Sequence, residues 1–298
     1  MPTMSFANGR SGLSAASASH GSTGDSMRWN GTRPAFLRNS VIVAAHPDDE
    51  LLWFGSVLKD VERVILVFRR FWGDSELGAR RRAALDQHPH PRITCLDIDE
   101  AGSFGCADWK NPRPDDVGLA FSFSADLRSA KRRIKRAISA VSGSDPAPSF
   151  SVAADYRRNY AMIRSRLADQ LLAGMNVFTH APWGEYGHED HVQVYRVLES
   201  LRDEIGFTLW VSNYCTERSF PLAARYFPAT PVSYVRLPVD HDYCEQVAEV
   251  YRRTGCWTWT DDWAWFDDEC FMEAPRSREQ HPVPQRHLMP LNMFAIGG

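Results

Sequence analysis

The 298-residue sequence has no strong excess of either charge, few cysteines and no long apolar run, and each shortage removes a class of protein. Thirty-four Lys and Arg stand against thirty-seven Asp and Glu, a net charge of −3. That argues against a nucleic-acid partner, because dedicated binders carry a marked basic surplus. Mean hydropathy is −0.37, and no stretch approaches the ~18 apolar residues of a spanning helix. The six cysteines (Cys95, Cys106, Cys215, Cys244, Cys256 and Cys270) include no C-x-x-C pair. In a chain this long they read as free thiols of a reducing, cytoplasmic setting, most of them serving as small buried hydrophobes. No G-x-G-x-x-G follows the first predicted strand, so the dinucleotide fingerprint is missing. There is no internal repeat.

What is present is globular: 44% hydrophobic and 24% charged residues, in a chain long enough to bury roughly three quarters of its unfolded surface. Residues 1–36, rich in Ser, Gly, Ala, Asn and Thr, read as a disordered leader that cannot offset its ordering entropy. It lacks the apolar stretch of a secretory signal. Residues 37–298 read as a single domain. Val41–Ala45 and Arg63–Phe68 are short apolar runs suited to strands buried on both faces. Helices are predicted over Asp49 to about Lys59 and Arg80–Asp86, with a third strand at Ile93–Leu96. This alternation predicts an α/β fold with a mostly parallel sheet and helices on both faces. Residues 97–120 read as a long surface loop. Further helices are predicted around Leu127, Ile134 and Ile138, and over Tyr156–Leu172, with a linker at Gly143–Ser149 between them. Asn176–Thr179 and Phe207–Val211 read as strands flanking a helix from His188 to about Leu201. From about residue 215 a cap region follows, strand-like at Ser233–Leu237, helical near Glu245–Arg252, and ending in an aromatic-rich extension.

Two stretches carry chemistry: Ala45-His46-Pro47-Asp48-Asp49-Glu50 and Tyr186-Gly187-His188-Glu189-Asp190-His191. The first leaves a buried strand and opens a helix, where open α/β sheets place their ligand sites. An acidic first turn also complements the helix dipole by itself. The second adds His188 and His191, which share one face if helical geometry reaches that turn. A catalytic zinc takes three protein ligands and keeps a fourth position open. His46, Asp49 and His191 are the right types, and a parallel sheet brings their two strand ends to one edge. Asp48 and His188 then fit a proton acceptor and a donor to a developing oxyanion, His188 preferably protonated.

A-H-P-D-D-E followed by Y-G-H-x-D-H resembles the PIG-L/LmbE family of zinc-dependent N-deacetylases, over roughly residues 38–215. The resemblance implies a Rossmann-like, LmbE-like fold and removal of an N-acetyl group from an N-acetylglucosamine-type sugar or glycoconjugate. It implies His46, Asp49 and His191 as ligands of Zn2+ (Fe2+ being the alternative), Asp48 as general base, and His188 as stabiliser of the tetrahedral intermediate. It implies Asp190 as the carboxylate orienting a histidine, with Tyr186 and Arg81 near substrate. The sequence departs from the family where a glycine-rich segment is usual: here Trp53 and Phe54 precede a lone Gly55. Hydrolysis of another amide or ester, or a non-catalytic sugar- or nucleotide-binding module, are the competing functions.

Three weaker signals remain. Arg80–Arg82 and Lys131–Arg133 with Lys135 and Arg136 read as solvated helix faces, with contact to a substrate phosphate as the alternative. The run Cys256–Phe271, with four tryptophans, reads as a packed lid, with sugar stacking as its alternative. His88 and His90 read as a turn before a strand.

Overall fold

The computed structural model describes residues 35–71, 73–122, 151–226, 234–260, 262–274 and 290–296. Along the chain these form β1 (Ser40–Ala44), α1 (Asp49–Leu52), β2 (Arg63–Arg70), α2 (Leu77–Leu85) and β3 (Ile93–Asp99). A small hairpin follows, β4 (Pro114–Asp115) with β5 (Gly118–Leu119), and then α3 (Val152–Ala168), β6 (Asn176–Thr179), α4 (Glu189–Ile205) and β7 (Thr208–Val211). The last third holds β8 (Tyr214–Cys215), α5 (Phe220–Tyr226), β9 (Tyr234–Pro238), α6 (His241–Arg253), β10 (Asp268–Glu273) and β11 (Asn292–Met293).

Seven strands make one sheet in the order β3-β2-β1-β6-β7-β10-β9. The first five run parallel, and β10 is antiparallel to both β7 and β9. β1 is fully buried because both faces are covered. Alternation sends Val41 and Val43 into a core with Ile163 of α3 and Val197 and Leu198 of α4. Ile42 and Ala44 enter a second core with Val247, Ala248 and Tyr251 of α6. The α/β class and the two-sided helical cover are therefore present. All six cysteines are free. No helix among the described residues is long and apolar enough to cross a membrane.

The strand order positions the site. The chain steps outward from β1 to β2 to β3, then returns to place β6 on the other side of β1, with Val43 opposite Thr179. Connections leaving β1 and β6 diverge to opposite sides, and a crevice opens at their carboxyl ends, the place where doubly wound sheets bind ligands.

Several sequence expectations change. α1 is four residues long instead of running to Lys59. The N–H groups of Gly55 and Ser56 donate to the buried carboxylate of Glu269 on β10 instead of continuing the helix, at 3.1 and 2.9 Å. Gly55 is required there, since a Cβ would sit 2.6 Å from Cys244 Sγ. β3 continues to Asp99, and the expected surface loop after it is tied inward: Ala101, Ser103, Cys106 and Trp109 are buried. Glu189 accepts from the Gly105 and Ala107 amides and the Trp109 indole. α3 starts at Val152 because Ser151 caps it by accepting from the Ala154 N–H, and it ends before Leu172. The helix around Leu127, Ile134 and Ile138, the 143–149 linker, the Lys131–Arg136 cluster and most of the 1–36 leader lie outside the described residues. Beyond Tyr214 the chain contributes β9 and β10 to the central sheet itself.

Candidate metal centre

The two motifs meet at the β1/β6 crevice. β1 hands over at Ala45 to His46, whose N–H donates to Asp49 Oδ2 at 2.7 Å. β6 hands over at Thr179 to His180. The turn that follows folds back tightly enough that a Cβ on Gly184 (φ +64°) would lie 2.6 Å from the His188 carbonyl. That turn delivers Glu185, His188 and the first residues of α4. His188 is not in the helix: it is the N-cap, in extended conformation, and its Nδ1 accepts from the Asp190 N–H at 3.1 Å. Its ring still stacks on that of His191, with centroids 4.8 Å apart.

Asp49 Oδ2 is the anionic centre of the cluster. It lies 3.2 Å from His46 Nδ1, 3.3 Å from His191 Nε2 and 3.6 Å from His180 Nε2. Its other oxygen accepts from the Trp53 indole at 2.8 Å. Burial opposes the charge, but His191, His46 and His180 hold the Asp49 carboxyl well below the usual range. Burial likewise opposes the charged imidazoles. The carboxylates overcome it, raising His46 to about 10 through Glu100, Asp190 and Asp49, and His191 to about 9 through Asp49 and Glu185.

Three groups of ligand atoms converge closely enough for one ion: His46/Asp49/His191, His46/His188/Asp190 and His180/Glu185/His191. Hydrogen bonding removes the third. His180 Nε2 accepts from the Ala45 N–H at 2.8 Å, so its proton sits on Nδ1, which faces Glu185 Oε2 at 3.0 Å. Glu185 also takes His191 Nδ1 at 2.7 Å, the Ala181 N–H at 2.6 Å and the Ser212 hydroxyl at 2.7 Å. Neither residue has an unused ligand atom.

The first group fits a cation. Zinc bonds of about 2.0–2.1 Å in tetrahedral array space ligand atoms by about 3.3 Å, close to the two Asp49 distances. Each histidine also faces a carboxylate with its other nitrogen: His191 has Glu185, and His46 Nε2 faces Asp190 Oδ2 at 3.4 Å. Such partners fix the tautomer and ring orientation of metal-binding histidines. Of the first group's ligand atoms, His191 Nε2 is buried without a hydrogen bond, an arrangement that costs free energy unless something binds. His46 Nε2 and Asp190 Oδ2, also without one, belong to the second group, whose His188 already spends Nδ1 on the Asp190 N–H. Asp190 Oδ1 is held by the Ser103 hydroxyl at 2.6 Å.

Asp48 sits beside this group in a left-handed backbone conformation, φ +103°, which costs a non-glycine residue about 1–3 kcal/mol. Its N–H donates to Glu50 Oε2 at 3.0 Å. Glu50, fully buried, is in turn fixed by the Tyr251 hydroxyl at 2.6 Å, and His88 Nε2 lies 3.3 Å from it without a hydrogen bond. The Asp48 carboxyl, raised to about 8 by burial and by neighbouring Asp49, accepts from the Thr258 hydroxyl at 2.6 Å. Burial, His191 and His46 lower His188 well below an ordinary histidine. With Nδ1 used as an acceptor, His188 is a neutral imidazole offering Nε2–H, not the protonated donor expected from the sequence.

Tyr186 is half-buried, edge-on to His188 and His191 at 5.6 and 5.3 Å between ring centroids. Trp53, Trp259 and Trp263 continue this aromatic wall at 4.8–5.7 Å from one another. Arg81 is buried and engaged, donating to Glu100 Oε1 at 2.5 Å and to the Arg69 carbonyl at 3.2 Å. Glu100 Oε1 in turn lies 3.9 Å from His46 Nε2, so Arg81 reaches the cluster through that carboxylate. Sequence reasoning missed His180, Glu185, Glu100, Ser103, Thr258 and the role of Glu50. The first and third of these had a signal: each directly follows a parallel strand, as His46 nearly does.

No family model matches the chain, and no curated protein matches its sequence.

Proposed function

We propose that the chain is a divalent-metal-dependent hydrolase that removes the N-acetyl group from an N-acetylglucosamine-type sugar or glycoconjugate. The observation that carries this reading is the His46/Asp49/His191 group, braced by Glu185 and Asp190 and flanked by an unligated carboxyl and an unligated imidazole N–H. Two nitrogens and one carboxylate suit Zn2+, with Fe2+ drawing on the same donors. Bound there, such a cation supplies Lewis acidity and lowers the pKa of water from 15.7 toward about 7.

The protein's own groups do the rest. Asp48 takes the proton of the attacking water, and the C–O bond forms at the acetamide carbon. His188 donates its Nε2–H to the oxygen that becomes negative. A neutral donor suffices for this, and it is held in place by its cap bond to the Asp190 amide. Asp48 then returns the proton to the nitrogen as the C–N bond breaks, releasing acetate and a free amine. Tyr186 and Trp259, both partly exposed, offer ring faces and edges to a pyranose, and Thr258 holds Asp48 from the same aromatic segment.

The test is acetate release from a panel of acetylated amino sugars, with and without chelator. Asp48→Asn should keep its metal and lose about 10²–10⁴ in turnover, whereas His191→Ala should lose metal and activity together. A metal-loaded protein that binds acetylated sugars without releasing acetate would return the chain to a binding module.

A further inference from the structure

We infer that the mouth of this site holds a subsite for an anionic substituent on the sugar, with Arg218 as its receptor. The inference rests on the deacetylase reading and adds the substrate's charge to it.

Of the two basic clusters that the sequence offers for such contact, one lies outside the described residues and the other, Arg80–Arg82, is already paired. Arg80 pairs with Asp74, Arg81 with Glu100 and Arg82 with Asp86. Arg218 is different. It is exposed, and among the described residues it makes no ion pair or hydrogen bond. Its guanidinium carbon lies 4.8 Å from the Phe104 ring centroid and 5.6 Å from that of Trp109, and its charge favours the buried Glu189 carboxylate nearby without an ion pair to it. Stacking of this kind covers guanidinium faces and leaves the in-plane N–H fork open, the edge that binds phosphate or carboxylate in a two-pronged manner.

Its placement is tied to the chemistry. Phe104 is half exposed, at 51%, and its ring centroid lies 5.0 Å from that of His188. The guanidinium is thus within about 10 Å of the proposed oxyanion donor. That distance can be spanned from an acetamido carbonyl to an anionic group carried on a neighbouring ring carbon. The turn residue before His188 is shaped to the arginine: Gly187 has φ +86°, and a Cβ there would meet Arg218 Cγ and Nε at 3.0 Å. The arginine stem therefore lies directly over the segment that presents His188 and Tyr186. Trp259, partly exposed, packs edge-on to Tyr186 with ring centroids 5.2 Å apart. A sugar held against Trp259 and Tyr186 with its acetamide toward Asp49 can turn a phosphate or carboxylate toward Arg218.

Metal-loaded full-length protein and Arg218→Ala and Arg218→Lys variants should be assayed at low and high salt. The substrates are N-acetylglucosamine, its 1-phosphate, and N-acetylmuramic acid, whose carboxylate tests the second anion source. Wild type should favour at least one anionic sugar over the neutral one, through KM and with a preference that weakens in salt. Losing hydrogen bonds to a charged group should lower the anionic-over-neutral ratio of kcat/KM about tenfold to a hundredfold in Arg218→Ala, and by less in Arg218→Lys, which keeps the charge without the fork. An unchanged ratio overturns the subsite. If no sugar is turned over, the deacetylase reading fails separately. Equilibrium binding of the two anionic sugars to wild type and Arg218→Ala then decides: weaker binding by the variant upholds Arg218, and equal or absent binding by both overturns it.

Discussion

Replacing Glu185 by Gln removes one charge and one acceptor from the most heavily used carboxylate of the site, and the consequence follows by counting protons. Four donors converge on it: the Ala181 amide, the Ser212 hydroxyl and the Nδ1 atoms of His180 and His191. A glutamine oxygen accepts two of them, and its NH2 group must then face the other two. His180 cannot release its Nδ1 proton by changing tautomer, because its Nε2 already accepts from the Ala45 N–H. One buried donor is left opposed, which costs about 1–3 kcal/mol of stability. The lost charge also removes one cause of the raised His191 pKa, and the imidazole loses the partner that fixes its tautomer and basicity. Outer-shell changes of this kind cost about tenfold to a hundredfold in metal affinity. Competition with a chelator measures the Kd for zinc, and thermal unfolding with and without metal measures the rest. Glu185→Gln with wild-type zinc affinity and an unshifted melting temperature would refute the assignment of Glu185 as the group that orients His191.

Other outcomes follow from the same geometry. Glu50→Ala leaves the Asp48 amide and the Tyr251 hydroxyl buried without partners and should cost about 2–6 kcal/mol. Tyr251→Phe, which removes one hydrogen bond to a carboxylate, should cost less, about 1.5–3 kcal/mol, and chemical denaturation giving the reverse ranking would sink the Glu50 brace. Stability of the metal-free protein should fall as pH rises from about 6.5 through 10. His46 and His191 are raised in the fold to about 10 and about 9, so their contribution is complete below the ordinary histidine pKa of ~6.5 and is lost above. Asp48, raised to about 8, acts in the same direction from about pH 4 upward. Melting temperatures of chelated protein test this, and values that climb between pH 7 and 10 contradict it. Since a cation must displace those protons, zinc affinity should increase over the same range with proton release.

How much of this was readable from the chain depends on how local each cause is. β1, β2 and β6 were legible because a strand covered on both faces is a continuous apolar run, and Val41–Ala44, Val64–Phe68 and Val177–Phe178 are that. His46, Asp49 and His191 were legible as candidates because their motifs are compact. α1 was overextended because its end is decided by Glu269, more than two hundred residues away, which takes the Gly55 and Ser56 amides. Strand β10 was hidden because it begins at the end of an aromatic-rich run, at Asp268, that has no two-residue rhythm beyond its tryptophans. Glu185 gave no warning, since its four partners come from the β6 turn, α4 and the end of β7. The protonation of His188 was misjudged because charge arguments ignored the cap bond that occupies Nδ1.

A nascent polypeptide that has emerged as far as Val211 already carries every proposed ligand, both bracing carboxylates and both acid–base candidates. It still lacks Thr258, whose hydroxyl holds Asp48, and Glu269, which pins the backbone just past Trp53. Tyr251, which secures Glu50, is also still to come. Competence at the first motif thus awaits synthesis of the final sixth of the protein, and chains stopped earlier should be inert however well their metal ligands are preserved.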